Sequence, residues 1–424
     1  MTKQKFYQYL KNIDISKYCM DTICPLPFVH AFYNVRGRYA PCCNADVVGN
    51  YSVENTRWNT WFYGAVMTQL RSDLITGQKN NLCKRCWIQE EKNLDSPRLG
   101  ALREYHDNKR NLNITKNFYE NPQPIFFDLK TSNFCNLACV MCNGNSSTKI
   151  SDLVSDLQDK NIPSAWRVNK SFQKTVDETL STYIQKNITT LKVLKFTGGE
   201  PFLNKDFIKI LSLAAKYNPD IYIVITTNGT VIHKDFLPIL KKLNNTQIKY
   251  SIDGISNIYD YIRWPSKWLT FENTILSSID NLPNIKFNIS CLVMNLNIEC
   301  LPNLRSWFHY YKKKYNNLEF IYFDTSLKPS NSPWSVNLLP LAVRNKLLHT
   351  FVNDDLQLNS NDYTCDISFS NIIKYVENIL PASGNKKNLK DIVLNEINKQ
   401  DLIRGFTYKN CSLPILKEYL YDEV

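Results

Sequence analysis

From about residue 125 onward, short runs of β-branched and aromatic residues alternate with stretches whose apolar positions recur every three to four residues. The apolar runs are IFFDLKT (125–131), LKVLKFT (191–197), IYIVITT (221–227), QIKYSID (247–253), IKFNISCLV (285–293) and LEFIYFD (318–324). Their Ile, Val, Phe and Tyr content suits strands covered on both faces. Between them, SFQKTVDETLSTYIQKN, KDFIKILSLAAKY, HKDFLPILKKL, FENTILSSI and IECLPNLRSWFHYYKKK carry the helical period. Six strand–helix repeats predict a parallel sheet, because parallel neighbours need crossover connections. Six are too few to close an eight-stranded barrel. The expected fold is therefore α/β, a partial (β/α)6 TIM-like barrel.

The flanks read differently. Residues 1–120 hold Gly37, Gly49, Gly64 and Gly77, a WNTWF cluster and paired cysteines, with no regular β/α repeat. A small Cys-rich metal-binding module fits, since short segments with a thin core need such cross-links. NPQP (121–124) marks the junction. Residues 336–424 form a mainly helical C-terminal extension, with VRNKLLHTFV and SNIIKYVENIL as its clearest pieces and no chemical motif. The expected domains are 1–120, 121–335 and 336–424.

Composition adds exclusions. The 424 residues are 43% hydrophobic and 21% charged. No apolar run approaches the roughly 18 residues a bilayer span needs. The first twenty residues lack the apolar core and cleavage site of a signal peptide. The expectation is a soluble, cytoplasmic protein with no membrane partner. A net charge of +12 invites a nucleic-acid reading. The basic residues are spread along the chain, however, and the densest run, YKKKY (311–315), closes an amphipathic helix. A solvated face is the reading preferred over a nucleic-acid site.

Thirteen cysteines point to metal or redox chemistry rather than a disulfide framework. Cys24, Cys42, Cys43, Cys83 and Cys86 lie in the first quarter, and Cys135, Cys139 and Cys142 follow the first barrel strand as CNLACVMC. Cys19, Cys291, Cys300, Cys365 and Cys411 are scattered and read as inert thiols. GGEP (198–201) follows the second strand, TNG (227–229) the third, and SIDG (251–254) closes the fourth. In barrel-like folds catalytic groups gather at these carboxyl ends. Three thiolates without a fourth would leave one iron of a [4Fe–4S] cluster open, whereas closed zinc and electron-transfer sites take four protein ligands.

The C-x3-C-x2-C spacing resembles the radical S-adenosylmethionine (SAM) superfamily over roughly residues 125–330. The resemblance implies that Cys135, Cys139 and Cys142 hold a [4Fe–4S] cluster whose open iron takes the amino and carboxylate groups of SAM. Reductive cleavage then releases a 5′-deoxyadenosyl radical that abstracts hydrogen from a substrate. By the same resemblance, Gly198, Gly199 and Glu200 receive the SAM ammonium. Thr227, Asn228 and Ser251 meet its ribose or carboxylate. Arg263 and Asn297 match recurrent positions, although a surface ion pair and an Asn turn stay open for them. Met141 stands where many members place an aromatic residue against adenine.

CPLPFVHAFYNVRGRYAPCCN, WNTWF and CKRCW resemble the auxiliary-cluster module called SPASM, or twitch when shortened, here placed before the barrel. That resemblance implies an auxiliary [4Fe–4S] cluster on Cys24, Cys42, Cys83 and Cys86, with Cys43 the rival for Cys42. A four-cysteine zinc site is equally consistent with C-x2-C. The implied function is oxidative modification or crosslinking of a peptide or protein, with flavodoxin or ferredoxin as electron donor. The alternatives are a dehydrogenase or epimerase of a small sugar or alcohol, and a non-catalytic iron–sulfur or zinc scaffold binding RNA or a protein partner.

Overall fold

The computed structural model describes residues 19, 21–35, 37–45, 57–91, 96–106, 116–130, 132–155, 157, 162–167, 178–325, 332–358, 369–378 and 386–421. Eight strands lie among them: β1 (His30–Tyr33), β2 (Tyr39–Ala40), β3 (Phe126–Lys130), β4 (Val193–Thr197), β5 (Tyr222–Thr227), β6 (Thr246–Ser251), β7 (Lys286–Leu292) and β8 (Leu318–Asp324). Strands β3 to β8 are the six anticipated repeats, each followed by helical segments, in the order of a partial (β/α)6 TIM-like barrel. The fold class is α/β.

The chain divides into two compact units, which cut across the three sequence regions. The first comprises residues 1–132, 172–225 and 242–246, and the second residues 133–171, 226–241 and 247–424. In the first unit, β1 pairs antiparallel with β2 and parallel with β3, and β3, β4 and β5 continue parallel. Strand β1 is not among the six anticipated. Its four residues are all buried and too few to show alternation. In the second unit β6, β7 and β8 are parallel, with a register shift at Phe287/Asn288.

The helices follow from apolar spacing and caps. In Lys205–Tyr217, Phe207, Ile210, Leu211 and Ala214 form the buried stripe. Asn204 caps its start, its Oδ1 accepting from the Asp206 N–H at 2.8 Å. The helix anticipated over 233–243 is confined to Leu237–Leu240. Pro238 lies in its first turn, where the missing N–H is tolerated, and so fixes the start there. Of the helix anticipated over 171–187, Glu178–Asn187 is helical, and 171–177 lie outside the described residues.

Candidate active site

In the second unit the loop after β3 carries Cys135, Cys139 and Cys142 and is tied down by its backbone. Ala138 N–H donates to the Trp264 carbonyl at 2.8 Å and Val140 N–H to that of Ile262 at 3.0 Å. The outward carbonyls are taken too. Ser147 Oγ donates to Leu137 O at 2.5 Å, Arg404 Nη2 to Ala138 O at 2.9 Å and Trp334 Nε1 to Val140 O at 2.9 Å. Beneath lie Ala138, Ile150 and Trp166, with Cys142 and Trp264 packed against them. Burying these peptide groups unpaired would be costly, so the loop holds one conformation.

The three thiols share an electrostatic environment. Burial pushes Cys142 up to about 12, and the Cys139 and Cys135 sulfurs add to the rise. Burial likewise raises Cys139, opposed by Arg263 and Arg404. Arg263 reaches Cys139 Sγ with Nη1 at 3.8 Å, while its Nε and Nη2 hold Asp253 Oδ2 at 2.7 and 2.5 Å. Asp253 has no exposed side-chain surface and also accepts the Leu292 N–H at 2.7 Å. Burial alone would discourage the Arg263 charge, but Asp253 and the Cys139 sulfur lift its pKa above the ordinary value.

The strand-end polar residues of this unit join the same network. Asn228 Nδ2 lies 3.8 Å from Cys135 Sγ and donates to Asn136 Oδ1 at 2.9 Å, while its Oδ1 accepts from Thr230. Thr227 Oγ1 accepts the Gly229 N–H at 3.0 Å. Ser251 closes β6, half-buried. Met141 packs against the apolar cluster of Val140, Ile258 and Tyr261. Asn297 is fully buried, with Nδ2 donating to the carbonyls of Asp253 and Leu292 and Oδ1 accepting the Met294 N–H. Its Nδ2 also lies 3.7 Å from Cys291 Sγ.

The GGEP turn belongs to the first unit. Gly199 N–H donates to the Ser132 carbonyl at 2.8 Å. Gly198 has φ +124°, and a Cβ there would stand 2.7 Å from Ser132 O. Glu200 is 1% exposed, and its Oε1 accepts the Phe202 N–H at 3.1 Å, capping the 3-10 turn Pro201–Leu203. Gly198→Ala is expected to destabilise the protein by about 1–3 kcal/mol, from the strained backbone and the clash. A denaturant midpoint unchanged from wild type would contradict this.

The same unit brings Cys24, Cys42, Cys83 and Cys86 together. Cys24 precedes the short helix Leu26–Val29, Cys42 follows β2, Cys83 ends the 3-10 turn Asn81–Cys83, and Cys86 lies on the helix Lys84–Glu91. Arg98 fastens two of these segments, its Nη1 donating to Ile23 O at 3.0 Å and its Nε to Glu90 Oε1 at 2.9 Å. His30 Nδ1–H donates to Pro41 O at 2.8 Å, fixing the residue before Cys42. Burial holds His30 neutral, its pKa down at about 4. Burial raises Cys24, and Cys83 and Cys86 raise it further; Cys42 is raised by burial, then by Cys43, Cys24 and Cys86. Cys43 is exposed, and its charged neighbours are Lys195, Asp128 and Lys130. Cys291, Cys300 and Cys411 are buried as anticipated, Cys19 is half-buried, and Cys365 lies outside the described residues. Among the described residues, no set of three or more His, Cys, Asp or Glu side chains is gathered tightly enough to hold a metal ion. No helix among them is long and apolar enough to cross a membrane.

Residues 129–305 match the family described as the Radical SAM superfamily. The chain is 26% identical over 238 residues to a cysteine-type anaerobic sulfatase-maturating enzyme of Clostridium novyi, covering 55% of this chain and 58% of that protein. It is 29% identical over 141 residues to a GTP 3',8-cyclase of Campylobacter jejuni subsp. doylei, covering 31% and 40%. The chain thus spans under two thirds of the length of each of these relatives. Among solved structures, Streptococcus suis SuiB bound to S-adenosylmethionine is similar at TM-score 0.39 and 13% identity, covering 70% of this chain and 64% of that one. Radical SAM proteins use a [4Fe–4S] cluster and SAM. The three-cysteine loop lies inside the matched segment, so the similarity to the radical SAM superfamily rests on residues 129–305.

Proposed function

We propose that this chain is an enzyme that holds a [4Fe–4S] cluster on Cys135, Cys139 and Cys142, cleaves SAM reductively and oxidatively modifies a peptide or protein. The observation that carries this is the placing of three cysteines on one loop pinned by its backbone, with the Cys139 and Cys135 sulfurs raising Cys142. Three protein thiolates suit a [4Fe–4S] cluster with one open iron better than a closed zinc site, which takes four protein ligands. The thiolate is the ligating form, so loading would release the protons that burial retains on Cys139 and Cys142.

When bound, the cluster and SAM supply a one-electron C–S cleavage and a 5′-deoxyadenosyl radical. The protein's part is orientation. The Asn228 amide and Arg263 guanidinium, each 3.8 Å from a ligating sulfur, would donate to it and so tune the cluster potential. Gly198, Gly199 and Glu200 would receive the SAM ammonium, and Thr227, Asn228 and Ser251 its ribose or carboxylate. Asn297 would support the loop after β7, and Met141 would pack beside the last cluster cysteine. Cys24, Cys42, Cys83 and Cys86 would hold the auxiliary [4Fe–4S] cluster; the coupling of Cys42 to Cys24 and Cys86 and the exposure of Cys43 favour Cys42.

A protein substrate is supported by the similarity to a sulfatase-maturating enzyme. A small-molecule substrate is the second reading, supported by the similarity to a GTP 3',8-cyclase. A flavodoxin or ferredoxin is the reductant this chemistry calls for. The test is anaerobic reconstitution with iron and sulfide, addition of SAM and dithionite, and mass spectrometry for 5′-deoxyadenosine. Product above a protein-free control is expected. A fully loaded protein that forms none would overturn the proposal.

A further inference from the structure

Arg404 ends the helix Lys386–Arg404, in the region where the sequence shows no chemical motif. It is 7% exposed, and its Nη2 donates to Ala138 O, the peptide carbonyl joined to Cys139, across 266 residues of chain. The guanidinium carbon lies 5.4 Å from the Trp166 ring centroid and 5.2 Å from that of Tyr261. Its Nε and Nη1 are buried and find no hydrogen-bond acceptor among the described residues. The acid three residues earlier, Asp401, accepts instead from Thr407 Oγ1 at 2.8 Å and Tyr408 N at 3.1 Å. Aromatic faces relieve only part of the cost of a buried cation. Burial lowers its pKa to about 10, opposed by Tyr261, the Cys139 sulfur and Asp401, and its charge in turn favours the Cys139 thiolate.

We propose that Arg404 is a positioning residue whose buried positive charge is a second counter-charge of the cysteine loop, beside Arg263, and raises the reduction potential of the cluster held there. This rests on the reading that Cys135, Cys139 and Cys142 bind that cluster. Three thiolates outweigh the charge of the iron–sulfide core, and one further negative charge arrives on reduction. A fixed cation in a poorly solvated site therefore stabilises the reduced form more than the oxidised form. Hydrogen bonding to Ala138 O places the charge beside the ligand without adding a fourth ligand.

The experiment is an EPR-monitored redox titration of the reconstituted full chain, following the cluster signal that changes when SAM is added. Wild type, R404M, R404K and W334F are compared at equal iron content. At the wild-type midpoint, R404M is expected to lower the ratio of reduced to oxidised cluster about tenfold, which is ~59 mV for a one-electron couple. R404K keeps the charge and should stay within about threefold. W334F removes the neighbouring bond to Val140 O without removing charge and should leave the ratio unchanged. A wild-type ratio in R404M would overturn the inference, as would a drop in W334F equal to that in R404M. If R404M does not fold, R404K decides, because a tenfold loss with the charge retained is equally incompatible with it. Wild-type protein that takes up no SAM-responsive cluster would instead remove the reading beneath it.

Discussion

Replacing Cys135, Cys139 and Cys142 together with Ala should reduce 5′-deoxyadenosine formation to the level of the protein-free control. In the proposed site, electron delivery to SAM requires the open iron, and each of these thiolates would ligate a separate iron. The other cysteines of the second unit among the described residues offer no substitute. Cys291 and Cys300 are buried, and Cys411 Sγ points to the Tyr408 carbonyl at 3.2 Å. The loop should survive the change, because its conformation is held by Trp264, Ile262, Ser147, Arg404 and Trp334 rather than by the sulfurs. Circular dichroism should therefore match wild type while SAM cleavage is lost. Undiminished 5′-deoxyadenosine from the folded triple variant would sink the assignment of these cysteines. A fall in the single variant Cys142→Ala alone should be nearly as complete, since two thiolates leave the cluster a second open iron and a weakened hold.

Much of the barrel was legible because its strands are covered on both faces, so each reads as a continuous apolar run that needs no alternation to be seen. Strand β1 escaped notice for a related reason. HAFY is fully buried but only four residues long, and it lies in a segment dominated by Pro, Gly and Cys. The cysteine triad was legible from spacing alone, because one short loop carries all three. The supports of that loop were not. Trp334 and Arg404 bond to carbonyls 194 and 266 residues away, and nothing in local periodicity marks such partners. Arg263 and Asn297 fall between these cases. Their positions stood out, but only the structure shows Arg263 dividing its guanidinium between Asp253 and Cys139 and Asn297 donating to the Asp253 and Leu292 carbonyls and to Cys291 Sγ. A polar residue at a strand end signals a site; whether it meets ligand or braces the loop depends on partners distant in sequence.

Reconstituted protein should carry about eight irons and eight sulfides per chain, and the triad variant about half of each, if Cys24, Cys42, Cys83 and Cys86 hold a second [4Fe–4S] cluster. Thiolates bind zinc and iron alike, so affinity does not choose between them. The chemistry leans to iron: an oxidative reaction must pass an electron out of the substrate radical, which redox-inert zinc does not accept. The residual cluster in the triad variant should give an EPR signal insensitive to SAM, because protein would ligate all four irons. Cys42→Ala should disturb that signal more than Cys43→Ala. The Cys42 sulfur is coupled to Cys24 and Cys86, whereas Cys43 is exposed and faces Lys195 and Asp128. One zinc and no iron in the triad variant would leave the proposed role of Cys135, Cys139 and Cys142 standing and eliminate the auxiliary site as an electron acceptor. The product radical would then either regain hydrogen from 5′-deoxyadenosine, giving a redox-neutral isomerisation, or lose its electron to an external acceptor, which would still be an oxidation.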